Sequence, residues 1–339
     1  MPKSAPNVAV LLMAHGTPES VGQMADYLRL VRGGREPSAE LVEEMTHNWD
    51  AIGGRSPLTD ITVQQGEALE AQLAADGFDI PVVVGMRNWR PFIADAMRDI
   101  ERTGARRIVG IPLAPQFSTL SVQKYMDAAQ AALPAGAEFS CVRSFHDHPL
   151  LIEAFAEQVR AEHPGADEDV VFTAHSLPQR TVAAGDPYPN EVAATARLIA
   201  ERCGITSYHM AYQSAGRTPE PWLGPDLSEF VRERAHSTRD ARSGQARTRS
   251  ILVVPIGFVC DHTEILFDID VQAAAAAREA GIALRRTRSL NTSATFIRAL
   301  AALTVDSLQS TVFSRQSSVD SRQSTVGSRQ SAAGSRTEE

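Results

Sequence analysis

Short, almost unbroken apolar runs rich in Val and Ile recur along the chain. They lie at Val8–Met13, Pro81–Gly85, Arg107–Leu113, Phe139–Val142, Val170–Thr173, Tyr208–Tyr212 and Ile251–Phe258. Between them, apolar positions fall at the helical spacing of three and four residues. These segments are Thr62–Ala75, Pro91–Arg102, Ser121–Leu133, Leu150–Glu162, Asn190–Cys203, Leu227–Arg234, Thr263–Ala280 and Ala294–Leu303. A strand that is apolar on both faces belongs in a parallel sheet covered by helices on both sides, whereas a half-exposed strand would alternate. The pattern runs for about four strands and restarts near residue 150. It therefore predicts an α/β protein of two flavodoxin-like or Rossmann-like halves, residues 1–150 and 151–306, each a parallel sheet flanked by helices. The last helix is a candidate to pack on the first half.

Two stretches break the pattern. Arg232–Ser250 is polar, Arg-rich and aperiodic, which predicts a surface loop. From Ser307 the chain repeats a seven-residue unit of the SRQS type with at most one or two apolar positions per unit. That is too little apolar surface to offset the entropy of ordering, and no a/d pair persists to make a coiled coil. Residues 307–339 are expected to form a disordered tail outside the fold. A chain ending after Asp306 is expected to keep its activity.

Composition narrows the function classes. Of the 339 residues, 43% are hydrophobic and 22% charged, as in an ordinary globular protein. The net charge of −8 argues against non-specific nucleic-acid binding, which needs a basic footprint. No run reaches the ~18–20 apolar residues of a membrane span. The N-terminus shows no signal-peptide pattern. The 3 cysteines, Cys141, Cys203 and Cys260, lie far apart, which fits a reducing cytoplasm rather than a disulfide framework.

In open α/β sheets a ligand binds beyond the carboxyl ends of the strands. Ala14–Pro18, Ala114–Thr119, Ala174–Pro178, Gln213–Arg217 and Val259–Glu264 all fall there. No GxGxxG follows the first strand. GxxxxGK[ST], GxSxG, CxxC and HExxH are absent, so common nucleotide, hydrolase and dedicated zinc sites lose support. The remaining chemistry is His175 with Glu264, Asp268 and Asp270. Glu264 and Asp268 are four residues apart on one helix, so both carboxylates share a face. An imidazole opposite a carboxylate can hold a divalent transition metal transiently or accept protons near neutral pH. Spacing alone favours the plainer reading, in which His175 caps the next helix or bonds backbone and the acids form a solvated helix face.

Eight segments in order change that balance. They are MAHGTP (Met13–Pro18), YLRLVRGGREP (Tyr27–Pro37), AIGGRSPL (Ala51–Leu58), LAPQFSTLSVQKY (Leu113–Tyr125), TAHSLPQR (Thr173–Arg180), GDPYP (Gly185–Pro189), YQSAGRTPEPWLGPD (Tyr212–Asp226) and PIGFVCDHTEILFDID (Pro255–Asp270). Over about residues 6–305 the chain resembles the ferrochelatases, closest to the branch that uses coproporphyrin III. The resemblance implies the chelatase fold and insertion of Fe²⁺ into a porphyrin, coproporphyrin III or protoporphyrin IX, with release of two protons. It makes His175 the active-site histidine and Glu264 the carboxylate facing it, both candidate metal ligands, with Asp268 continuing an acidic ladder. Where many relatives carry a further acid, this chain has Gln272, so the ladder is shorter.

The resemblance also marks His15, Arg32, Asn48, Trp49, Ser56, Gln65 and Tyr125 as porphyrin contacts. Asn48-Trp49 replaces an Arg–Tyr pair common in relatives. His15 stands where relatives commonly carry Tyr. It is either a nitrogen ligand to product iron or a residue bonded to backbone in its turn. With no cysteine after Cys260, the iron–sulfur cluster of some members is not expected. No cofactor beyond substrate Fe²⁺ is expected, nor a nucleic-acid partner; a cytoplasmic monomer is. The rival readings are a chelatase for another tetrapyrrole of the sirohydrochlorin type, a porphyrin- or haem-binding protein without turnover, and an unrelated flavodoxin-like binding module.

Overall fold

The computed structural model describes residues 8–165, 167–216, 218–237 and 250–309. Strands β1 (Val8–Ala14), β2 (Val82–Met86), β3 (Arg107–Pro112) and β4 (Glu138–Cys141) form one parallel sheet in the order β2-β1-β3-β4. Strands β5 (Glu168–His175), β6 (His209–Gln213), β7 (Ser250–Pro255) and β8 (Ala283–Arg286) repeat that order as β6-β5-β7-β8. The helices are α1 (Met24–Val31), α2 (Ala39–Ala51), α3 (Leu58–Ala75), α4 (Ile93–Thr103), α5 (Val122–Ala131), α6 (Pro149–Glu162), α7 (Gln179–Ala183), α8 (Tyr188–Cys203), α9 (Leu227–Ser237) and α10 (Ala274–Ala280). Residues 294–309 form a last helix, α11.

The central strands read as continuous apolar runs because each face meets a different core. In β1, Val8, Val10 and Leu12 enter one cluster while Ala9, Leu11 and Met13 enter another. In β5, Val170, Phe172 and Ala174 face the first cluster and Val171 a third. That first cluster is common to both sheets. It joins the inner faces of β1, β3, β5 and β7 to α3, α6, α8 and α11. Helices α4 and α5 cover the outer face of the first sheet, and α9 and α10 that of the second. Truncating a fully buried member such as Leu12 to Ala would cost about 2–5 kcal/mol.

Several boundaries differ from the sequence reading. Strand β8 and helices α1, α2 and α7 were not expected. Helix α1 is only 8 residues long, and α1 and α2 bury a small patch of their own, Met24, Leu28 and Trp49, separate from the sheet cores. The expected helix over Thr263–Ala280 is π-helical across Ile265–Ala273, with i→i+5 bonding. Helix α9 runs three residues past Arg234 into the stretch expected to be loop; residues 238–249 of that stretch lie outside the described residues. The expected tail begins inside α11, and its residues 310–339 also lie outside the described residues. Leu308 packs against the shared core, and Arg107 Nη2 donates to its carbonyl at 3.3 Å. Thr295 Oγ1 ties the other end of α11 to Glu157 at 2.8 Å. No described helix is long and apolar enough to cross a membrane.

These contacts bear on the stability, not the expected activity, of a chain ending after Asp306. Such a chain should melt roughly 2 °C below one ending at Gln309, since partial burial of a leucine is worth about 1 kcal/mol. Equal melting temperatures would show that the last turn of α11 contributes nothing.

Candidate active site

Each sheet changes its winding direction at one place, between β1 and β3 and between β5 and β7. A crevice opens beyond the carboxyl ends of strands at such a switch point. Here the two crevices merge into a single cavity of about 360 Å³, within the roughly 300–1,000 Å³ usual for small-molecule sites. It is lined by His15 and Gly16 after β1, by Leu113 and Gln116 after β3, by His175 at the end of β5, and by Gly257–Cys260 and His262–Glu264 after β7. Two glycines let the turns close. Gly16 has φ +86°, and a Cβ there would meet Trp89 N at 2.8 Å. A Cβ on Gly257 would meet Ala174 Cβ at 2.8 Å, one residue from His175.

The chemistry centres on Glu264. His175 Nδ1–H donates to the Ser176 carbonyl, which leaves Nε2 as the free lone pair facing the cavity. That Nε2 lies 3.7 Å from Glu264 Oε1. His262 is arranged in the same way. Its Nδ1–H donates to the Cys260 carbonyl at 3.1 Å, and its Nε2 lies 3.5 Å from Glu264 Oε2. Phe258 packs beside both imidazoles, with ring centroids 6.4 Å from His175 and 4.5 Å from His262. Gln213, at the end of β6, donates from Nε2 to the Glu264 carbonyl at 2.9 Å. Among the described residues, no group of three or more His, Cys, Asp or Glu side chains gathers to hold a metal ion.

Burial by itself would raise the Glu264 carboxyl, but the positive charge that His175, His262 and His15 carry when protonated outweighs it and holds the group at about 2. Asp268 behaves in the opposite sense. Burial first, and the neighbouring Glu264 charge second, push its carboxyl up to about 7. Ser214 Oγ donates to Asp268 from a left-handed backbone position, φ 61°. Asp268 does not line the cavity. The expected ladder is thus one ionised carboxylate at the cavity and one behind it that titrates near neutrality. Burial pushes the Cys260 thiol up to about 12, so a thiolate is not available there.

A ferrochelatase family model matches residues 7–308. The chain belongs to the ferrochelatase family. It is 41% identical over 307 residues to a ferrochelatase of Deinococcus radiodurans, covering 87% of this chain and 94% of that protein. It is 37% identical over 312 residues to a coproporphyrin III ferrochelatase of Geobacillus sp. strain WCH70, covering 89% and 98%. Among solved structures, SirB from Bacillus subtilis with Fe3+ superposes with a TM-score of 0.54 at 12% identity, over 88% of this chain and 95% of that one. At that identity the likeness concerns the fold alone.

In this ferrochelatase-family chain, His15, Trp49, Ser56, Tyr125, His175 and Glu264 of the expected set share the cavity wall. Four others lie elsewhere. Gln65 is fully buried, and its Nε2 donates to the Asn291 carbonyl at 2.8 Å in the opposite half. Asn48 is half-buried beside the cavity-lining Trp49, Arg32 is exposed at the end of α1, and Asp268 stands behind Glu264. His15 bonds backbone: Nδ1–H donates to the Gly16 carbonyl at 3.1 Å, while Nε2 accepts from Asn88 Nδ2 at 2.9 Å. Burial lowers its pKa, which keeps the ring neutral. With both nitrogens occupied, an axial role would require Asn88 to move.

Sequence reasoning overlooked Arg87, Tyr27 and His262. All three line the cavity. Arg87 follows β2, where the strand-end rule points. His262 lies inside a quoted motif two residues from Glu264. Tyr27 opens a quoted motif on the short helix α1, its hydroxyl 3.2 Å from His15 Nδ1.

The pKa of Asp268 has a consequence for stability. Its carboxyl ionises near 3.8 when unfolded and near 7 when folded. The folded state therefore binds the extra proton between those values, and stability contributed by this group falls as pH rises through that window. Asp268→Asn should raise the melting temperature above wild type at pH 8, with the gap closing as pH falls to 4. A gap independent of pH would show that Asp268 ionises normally.

Proposed function

We propose that this chain inserts Fe²⁺ into a porphyrin, releasing the two pyrrole protons. The observation that carries the reading is the placement of His175 Nε2 3.7 Å from the Glu264 carboxylate at the wall of an apolar cavity. Iron must shed water, reach four ring nitrogens and displace two protons. Imidazole and carboxylate together suit a divalent ion held only in passing. A pair rather than a cage of ligands lets the metal leave for the macrocycle. His175 takes a pyrrole proton, and the resulting imidazolium is stabilised by the adjacent Glu264 charge. His262 Nε2 offers the next acceptor on the other carboxylate oxygen. No resident cofactor enters this scheme, and a single chain holds every group it uses.

Trp49, Phe258, Leu113 and Leu177 provide apolar wall for a flat macrocycle. The polar groups at the wall include hydroxyls of Ser56, Ser121, Thr62, Tyr27 and Tyr125, together with Arg87. Arg87 is the only Lys or Arg among the described lining residues, so it is assigned to one propionate. Coproporphyrin III is the preferred substrate in this reading and protoporphyrin IX the alternative, on the strength of relatives named for coproporphyrin III at 35–38% identity.

Anaerobic absorbance assays with Fe²⁺ and each porphyrin test the proposal. His175→Ala should lower kcat by about 10²–10⁴ while metal-free porphyrin still quenches intrinsic fluorescence with wild-type affinity. Undiminished insertion by that variant would remove His175 from the mechanism. Porphyrin bound but never metallated by wild type would turn the reading to a carrier, and metallation of sirohydrochlorin alone would turn it to the related chelatase.

A further inference from the structure

Asn291 lies in the link between β8 and α11 and does not line the cavity. Its backbone is left-handed, φ 45°. Each of its four hydrogen-bonding groups is engaged. The N–H donates to the Val259 carbonyl at 2.9 Å. The carbonyl accepts from Gln65 Nε2 at 2.8 Å. Oδ1 accepts from the Asp261 N–H at 2.9 Å, and Nδ2 donates to Asp261 Oδ2 at 2.9 Å. Three of these bonds grip residues 259–261, immediately before His262 and three residues from Glu264. The fourth comes from α3 of the opposite half, where Gln65 also reaches the Val259 carbonyl at 3.5 Å.

Neighbours complete a collar around the same carboxylate. Ser289 Oγ donates to Asp261 Oδ1 at 2.8 Å, and Arg286 Nη2 reaches that oxygen at 3.1 Å. Arg286 also pairs with Asp270, inside the π-helix. The pattern is specific to an amide. Asp261 presents a backbone donor and a carboxylate acceptor, so its partner must accept and donate from one short side chain. Aspartate could not donate, and most residues would resist the positive φ that asparagine tolerates.

We infer that Asn291 is a positioning residue that converts docking of the first half, felt through Gln65, into the aim of Glu264 at His175. The inference rests on the proposed iron insertion. Glu264 sits between two imidazoles at 3.5 and 3.7 Å, so a displacement of about 1 Å in its loop would remove both pairings, which is enough to cost roughly 10²-fold in rate.

Asn291→Gly is the decisive variant, because glycine keeps the left-handed backbone and both backbone bonds while deleting both side-chain bonds. Gln65→Met, of similar length, deletes the donor from the other half. Each is expected to lower kcat by about tenfold or more, leave the affinity for metal-free porphyrin within about twofold, and add little in a Glu264→Gln background. Hydrogen exchange should speed up in residues 259–264 and not in β1 or β5. Wild-type kcat with unchanged exchange would overturn the inference, as would losses that multiply fully with Glu264→Gln. A loss confined to porphyrin affinity, or failure of the variants to fold, also counts against it. If wild type does not metallate any porphyrin, the proposed reaction falls, and the exchange measurement alone still decides the role of Asn291.

Discussion

One apolar core belongs to both sheets, and the site exists because of it. The inner faces of β1, β3, β5 and β7 join in a single cluster with four helices. That contact turns two separate switch-point crevices toward each other. Neither crevice alone encloses the cavity. His175 and Glu264 come from the second half, whereas Tyr27, Trp49, Arg87 and Tyr125 come from the first. Buried glutamines stitch the join. Gln65 and Gln116, both under 3% exposed, donate to carbonyls of Asn291 and Ile256, on either side of the segment that carries Glu264. An unpaired carbonyl buried there would cost about 1–3 kcal/mol, so sliding of the halves is penalised by more than lost apolar contact.

Within that frame the electrostatics sort two neighbouring carboxyls into different roles. Glu264 meets imidazoles and stays ionised; Asp268 meets Ser214 and the Glu264 charge, and ionises only near neutrality. Two charges four residues apart on one helix face repel, and burial of one strengthens that repulsion. The π-helical turn that carries Asp268 is braced at Asp270 by Arg286, so the irregular geometry is held by charge as well as by the apolar contacts of Ile265 and Ile269.

Legibility followed the reach of each interaction. Strands β1, β3, β5 and β7 were readable because burial on both faces leaves an unbroken Val/Ile run. His175 and Glu264 were readable because both sit in distinctive motifs, at or beyond the carboxyl end of such a run. Strand β8 was hidden, since its sequence Ala-Leu-Arg-Arg looks polar until Arg285 and Arg286 find their carboxylates. Helix α1 is only 8 residues long, and α1 and α2 cover a small patch of their own rather than a sheet. The i→i+5 winding of Ile265–Ala273 has no signature in the spacing of its apolar residues. Gln65 was expected at the porphyrin by resemblance, yet its amide points across the join to Asn291.

Local chemistry therefore determined the class of the chain: parallel sheets, strand-end residues, and an imidazole and a carboxylate of the right kind. Which residues meet was settled by contacts between segments far apart in the chain. His15 illustrates the division. Its identity allows a metal ligand or a backbone-bonded turn residue, and only the fold brings Asn88, 73 positions away, onto Nε2. Asn291 is the stronger case, because a single asparagine in a linker carries no periodicity, three of its bonds need the fold of the second half, and the fourth forms only when the two halves dock.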